Sequence, residues 1–241
     1  MLPRLEHSHK PGDIAKRLRH GPHVSYLRDW VYGGIDGTVT TFAVMAGVVG
    51  ADLSATVVVI LGLANLLADG FSMAASNFTG TKAERDEYEQ LRSMEERHID
   101  LAPEGEREEI RQIFRGKGFE GEALETVVNV LSQHRESWIE AMMAEEHGMA
   151  AVQRSPARAA LYTFIAFVVC GSVPLLPYLA RVDQPEWPSA IMTAAVFFAI
   201  GSVRSLWSPK SWWLAGTETL IIGMLAAGVA YAVGYGLRGL V

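Results

Sequence analysis

Residues 31–51 read VYGGIDGTVTTFAVMAGVVGA and residues 55–78 read ATVVVILGLANLLADGFSMAASNF. Each run is longer than the roughly 20 apolar residues a helix needs to cross a bilayer. Each also carries one carboxylic acid, Asp36 in the first and Asp69 in the second. An ionisable side chain at that depth costs about 3 kcal/mol even on the lenient insertion scales, so it is rare without a task and marks ion or proton paths.

Around these runs the chain is made of two unlike materials. Mean hydropathy over the 241 residues is +0.15. Lys82–Arg158 nevertheless holds 18 of the 27 acidic residues against 11 Lys and Arg, while the remainder is largely of membrane grade. The net charge of −6 therefore reflects one segment. The single cysteine, Cys170, excludes an intrachain disulfide scaffold. No basic patch with interleaved aromatics is present, which argues against nucleic-acid binding. Residues 1–30 are polar and lack the apolar core of a signal peptide.

These patterns predict an all-α integral membrane protein with five spans: Val31–Ala51, Ala55–Phe78, Ala159–Leu179, Trp187–Leu206 and Trp212–Leu237. Pro174 and Pro177 should kink the third. The expected organisation is a tail at 1–30, spans one and two at 31–79, a helical insert at 80–156 and spans three to five at 157–241. Arg4, Lys10, Lys16, Arg17, Arg19 and Arg28 precede the first span, and Arg204 and Lys210 flank the loop between spans four and five. The opposite side has Arg181 and Arg238, so the positive-inside rule places the N-terminus and the insert in the cytosol and the C-terminus beyond the membrane. Trp30, Trp187, Trp212 and Trp213 fall at span ends, as interfacial anchors do.

The insert reads as three helices: Gly80–Asp100 continuing from span two, Pro103–Arg115 opened by its proline and closed by GKG, and Glu120–Met149. At 100° per residue, Glu95 and His98 share a face with Tyr88 and Leu91. Glu106 lies on the face of Ile110, Ile113 and Phe114, with Glu109 at its edge. Leu124, Val127, Val128, Leu131, Trp138 and Met142 form a stripe that Glu145, Glu146 and Met149 extend. Carboxylates turned inwards need a partner, and a divalent cation is a natural one. Carboxylate, imidazole and thioether together suit Fe²⁺ or Mn²⁺ better than a thiolate-rich zinc site. The same composition is also what solvated helix faces with i,i+4 ion pairs display. His7, His9, His20 and His23 in the tail form a weak metal trap at best.

Within the spans, Asn65, Asp69, Ser72, Met73, Ser76 and Asn77 form one polar stripe, and Gly33, Asp36, Gly37, Thr40 and Gly47 another. Facing each other they would line a path, with glycines permitting close approach. Glu218, in the fifth span, reads either as a proton site or as an acid snorkelling to the cytosolic interface.

The order DG…T, ADGFSMA, ERHIDLAPEGEREEIRQIFRGKG, ESWIEAMMAEEHG and three further spans resembles the vacuolar iron transporter family over nearly the whole chain. The resemblance implies a five-span homodimer in the bilayer, with a cytosolic metal-binding domain, that moves Fe²⁺ or Mn²⁺ out of the cytosol in exchange for protons. It implies roles on the metal for the span-one aspartate and span-two methionine, here Asp36 and Met73. It implies carboxylate pairs matching Glu95 with His98 and Glu106 with Glu109, and a third group in the Met142–Glu146 region, including Met143 and Glu145. His98 and Met143 stand where the family has glutamates, and Ser76-Asn77 stands where it commonly has Gly-Glu. The expected function is therefore cation transport along Asp36, Thr40, Asp69, Met73, Asn77 and Glu218, with no organic cofactor and no enzymatic reaction. The membrane would be an inner membrane in a prokaryote and a vacuole-type membrane in a eukaryote. The competing expectation is a membrane-anchored ferritin-like di-iron oxidase or iron-storage protein, since Glu95-x-x-His98 has that spacing.

Overall fold

A computed structural model describes residues 8–20, 24–149 and 154–240, His20 without its side chain; His7 and His23 of the tail lie outside the described residues. All regular structure among the described residues is helical: α1 (Pro11–His20), α2 (Leu27–Gly50), α3 (Ala55–Leu101), α4 (Pro103–Gly116), α5 (Gly121–Ser132), α6 (Arg135–Glu145), α7 (Pro156–Ser172), α8 (Leu176–Leu179), α9 (Glu186–Arg204) and α10 (Trp212–Leu237). Five stretches are long and apolar enough to cross a membrane: Leu27–Gly50, the apolar part of Ala55–Leu101, Pro156–Leu179, Glu186–Trp207 and Trp212–Leu237. Span two and the first insert helix form a single helix of 47 residues, α3, as its uninterrupted pattern predicts. The chain divides into two compact units. One is Ala83–Arg154 with the residues before Tyr26, and the other is Tyr26–Lys82 with Ser155–Val241.

In the second unit α2 packs against α7, α9 and α10. Its contact with α7 is made by backbone. A Cβ on Gly33 would stand 2.3 Å from the Thr163 carbonyl oxygen, and one on Gly37 would stand 2.4 Å from that of Phe167. This is a G-x-x-x-G approach, and it corrects an expectation: the glycine face of α2 serves α7, not the polar stripe of α3. α3 meets α7 and the turn after it through Gly62 beneath Leu175 and Gly70 beneath Phe167. The core collects Phe42, Met45, Leu66, Phe167, Leu175 and Phe197. The kink at Pro174 and Pro177 is a 3₁₀ turn, Val173–Leu175, between α7 and α8. Proline has no N–H for the α-ladder there. Ile60, Leu67 and Phe71 on α3 and Ile221, Ile222, Leu225 and Val229 on α10 are exposed, as hydrocarbon-facing side chains are.

In the first unit α4 begins at Pro103 in the first turn, with Glu104 and Glu106 beside its positive end. The expected third insert helix is two. α5 stops at Ser132, where the Ser132 hydroxyl bonds back to the Asn129 carbonyl at 3.3 Å, and α6 restarts after extended His134. Polar Ser, Gln and His offer the backbone alternatives to the ladder at the break. The apolar stripe survives it: Leu124, Val128, Trp138, Ile139, Met142 and Met143 are buried with Ile99 and Ile110.

Candidate functional site

The acids of the first unit fall into two populations. The outer ones are held by cations. Arg92 forks onto both oxygens of Glu136 at 2.9 and 2.8 Å and also meets Glu96. Arg135 binds Asp100, Arg111 joins Glu125 and Glu108, and Lys117 pairs with Glu145. Hydrogen bonds from these guanidinium groups pull Asp100, Glu108, Glu125 and Glu136 below the usual carboxylate range. For this set the solvated-face reading describes the observed geometry.

The inner acids are different. Glu95 on α3 and Glu106 on α4 are only 1% and 3% exposed, and the Oε2 atom of each is buried without a hydrogen-bond partner. The neighbours of their other oxygens are imidazoles. His147 Nε2 lies 2.9 Å from Glu95 Oε1, and His98 Nδ1 lies 3.3 Å from Glu106 Oε1. Glu95 with Glu146 and His147, and Glu95 with His98 and Glu106, each bring three potential ligand atoms within 4.8 Å of one another. Burial, then the charges of Glu109 and Glu95, push Glu106 up to about 7. Glu109 is raised as well, by partial burial and by Glu146 and Glu95. A buried ionised carboxylate costs far more than a neutral one, so such acids take a proton or recruit a cation.

Of the expected insert ligands, Glu95, His98, Glu106 and Glu146 converge. Glu109 is within electrostatic reach of them. Glu145 is engaged by Lys117 instead. Met142 and Met143 are wholly buried in the apolar core beside Ile139 and Trp138. His147 belongs to both the geometry and the chemistry and was missed from sequence. It stands beyond the end of α6, where Gly148 takes φ +66 and the Met149 N–H returns to the Met143 carbonyl at 2.8 Å. That left-handed turn is glycine's to make. The dipeptide His-Gly after a Glu-rich helix end is the only signal that could have found it.

In the second unit Asp36 and Asp69 are half-buried and within electrostatic reach of each other. The Thr40 hydroxyl donates to the Asp36 carbonyl at 2.9 Å, which leaves the Asp36 carboxylate to other partners. Met73 packs at the edge of the core. Asn77 has a different assignment. Its side-chain N–H groups donate to Asp29 Oδ1 at 2.9 Å and to Thr163 Oγ1 at 2.7 Å, while its oxygen accepts from Thr81 at 3.2 Å. Asp29, 2% exposed near the start of α2, is a buried acid that hydropathy did not single out, because it precedes the apolar run. Glu218 accepts from Arg204 at 2.7 Å and Lys210 at 3.0 Å, tying together the α9–α10 hairpin.

Five apolar helices with intramembrane acids, and a separate unit in which two buried carboxylates each keep one unpartnered oxygen beside an imidazole, describe a polytopic membrane protein with groups that could ligate a metal cation. Residues 27–235 match the VIT family. A vacuolar iron transporter of Toxoplasma gondii is 30% identical over 87% of this chain and 73% of its own length. Vacuolar iron transporter 2 of Oryza sativa subsp. japonica is 31% identical over 86% and 85%, and vacuolar iron transporter 1 of Arabidopsis thaliana 29% identical over 86% and 84%. The chain belongs to the vacuolar iron transporter family, and membership implies metal-ion transport across a membrane.

Proposed function

We propose that this protein carries Fe²⁺ or Mn²⁺ out of the cytosol in exchange for protons, in a homodimer, in a vacuole-type membrane in a eukaryote or the inner membrane in a prokaryote. The observation that carries the reading is the pair Glu95 and Glu106, buried on different helices with an unpartnered oxygen each and imidazoles as neighbours. Oxygen with imidazole nitrogen is a donor set for Mn²⁺ and Fe²⁺. In this reading Glu95, His98, Glu106, Glu146 and His147 collect the ion, with Glu109 at the rim. Asp36, Asp69 and Met73 pass it along the second unit. A carboxylate that holds either a proton or a metal ion couples the two flows, because an arriving cation favours the ionised form. Asn77 and Glu218 keep their structural partners and are left out of the path.

Glu95 belongs to both ligand groups, and a carboxylate shared by two sites is also how two irons are bridged, which favours the oxidase reading as the alternative. One comparison separates them. Transport predicts uptake of redox-inert Mn²⁺ into sealed proteoliposomes, driven by a proton gradient. Oxygen-dependent Fe²⁺ oxidation in detergent, with no vesicular Mn²⁺ uptake, would replace transport with the enzyme.

A further inference from the structure

The second unit has a cavity of about 400 Å³ that the transport reading does not use. It is lined by Arg28 and Tyr32 from the first turns of α2, Arg204 and Trp207 where α9 ends, Lys210 before α10, and Glu218. Three cations face one carboxylate, and that carboxylate already accepts from two of them. Arg28 makes no ion pair among the described residues. The pocket thus keeps a surplus of positive charge with a guanidinium free for an anion, and guanidinium groups grip phosphate oxygens in pairs.

Its depth says which anion. Tyr32 and Trp207 are 60% and 52% exposed, and Trp212 and Trp213 are exposed at the same end of the helices. Such a belt marks the headgroup layer. Leu206 and Leu214, next in sequence to Trp207 and Trp213, are exposed too and offer apolar surface to acyl chains. Basic pockets between spans at this level suit anionic headgroups, and the volume is within the range of small-ligand sites.

We propose that this cavity binds the phosphate headgroup of an anionic glycerophospholipid, with Arg28 and Lys210 as the main phosphate contacts. The inference is independent of the transport reading. The test is native mass spectrometry of the full-length, delipidated protein in detergent, titrated with phosphatidylglycerol, with phosphatidylcholine and, separately, with inorganic phosphate. Phosphatidylglycerol should bind about thirtyfold more tightly than phosphatidylcholine, as two cations near a headgroup provide. Arg28→Gln with Lys210→Gln should abolish the preference. Arg28→Gln alone, which breaks no ion pair, should reduce it severalfold at an unchanged melting temperature, and it decides the matter if the double variant does not fold. Equal binding of both lipids by the wild type, or an undiminished preference in folded Arg28→Gln, overturns the proposal. So does displacement of phosphatidylglycerol by millimolar inorganic phosphate, which would make the site one for soluble anions.

Discussion

His147 lies beyond the end of α6, yet its Nε2 atom sits 2.9 Å from Oε1 of Glu95, a residue 52 positions earlier and nearly inaccessible to solvent. The contact completes one of the two ligand groups that share Glu95, the other being the one that holds His98 and Glu106. It makes His147 the residue whose loss should test that group most cleanly, because its imidazole is partly exposed while Glu95 is buried.

His147→Ala should therefore weaken Mn²⁺ binding to the full-length protein by about tenfold or more, the usual scale for losing a ligand or its hydrogen-bonded neighbour. Calorimetric titration in detergent under anaerobic conditions would read it. Glu145→Ala, which removes only the partner of Lys117, should change affinity little. Equal losses in the two variants would mean that the ions sit elsewhere.

Glu106 should impose a pH dependence of definite sign. Its folded value is raised to about 7 from an ordinary 4.5, so in the metal-free protein the folded state holds the extra proton between those values. Stability contributed by this group is full below about 4.5 and is lost as pH rises through about 7. Metal affinity should move the opposite way, rising over the same window as the proton leaves. Glu106→Gln, neutral at every pH, should raise the metal-free melting temperature at pH 8 by a few degrees (about 2–4 °C per kcal/mol) while lowering affinity for Mn²⁺. A variant that loses both stability and affinity would make Glu106 a structural residue.

Asp36→Asn keeps the size of the side chain and removes its charge. Mn²⁺ uptake into proteoliposomes should fall to background while binding by the Glu95–Glu106 group persists. Met73→Ala should reduce uptake less and shift preference away from softer ions, since carboxylate ligands remain. Wild-type flux from folded Asp36→Asn protein would take this residue out of the mechanism.

The knot at Asn77 makes a prediction about stability. Asn77→Ala would remove one donor from Asp29 and one from Thr163 inside the unit, at a cost of about 1 kcal/mol for each hydrogen bond lost. Asn77→Glu would place a second carboxylate against Asp29, with no N–H to offer it. Both should lower the melting temperature in detergent, the glutamate more than the alanine at pH 8. Lowering the pH should rescue the glutamate variant, because a shared proton relieves the pair. A glutamate variant as stable as the wild type at pH 8 would show that the Asn77–Asp29 bond contributes nothing to stability.

What the sequence determined by itself is most of what local geometry sets, the break between α5 and α6 excepted. Continuous apolar runs of bilayer length specified five spans, and Pro103 marked the start of α4. The 3.6-residue period put Glu95 and Glu106 on inward faces, because the facing of a side chain within one helix follows from its spacing alone. Only the tertiary structure decided which inward groups meet. The acids of the insert look alike in sequence, yet Arg92, Arg111, Arg135 and Lys117 claim some, while Glu95 and Glu106 are left to imidazoles. Asn77 sits in the same stripe as Asp69 and Met73, but the close backbone approach of α2 and α7 at Gly33 and Gly37 gathers Asp29 and Thr163 around it. Helical periodicity carries no information about partners 48 or 52 residues away. Those pairings depend on how backbones pack and where a turn such as that at Gly148 aims the next side chain.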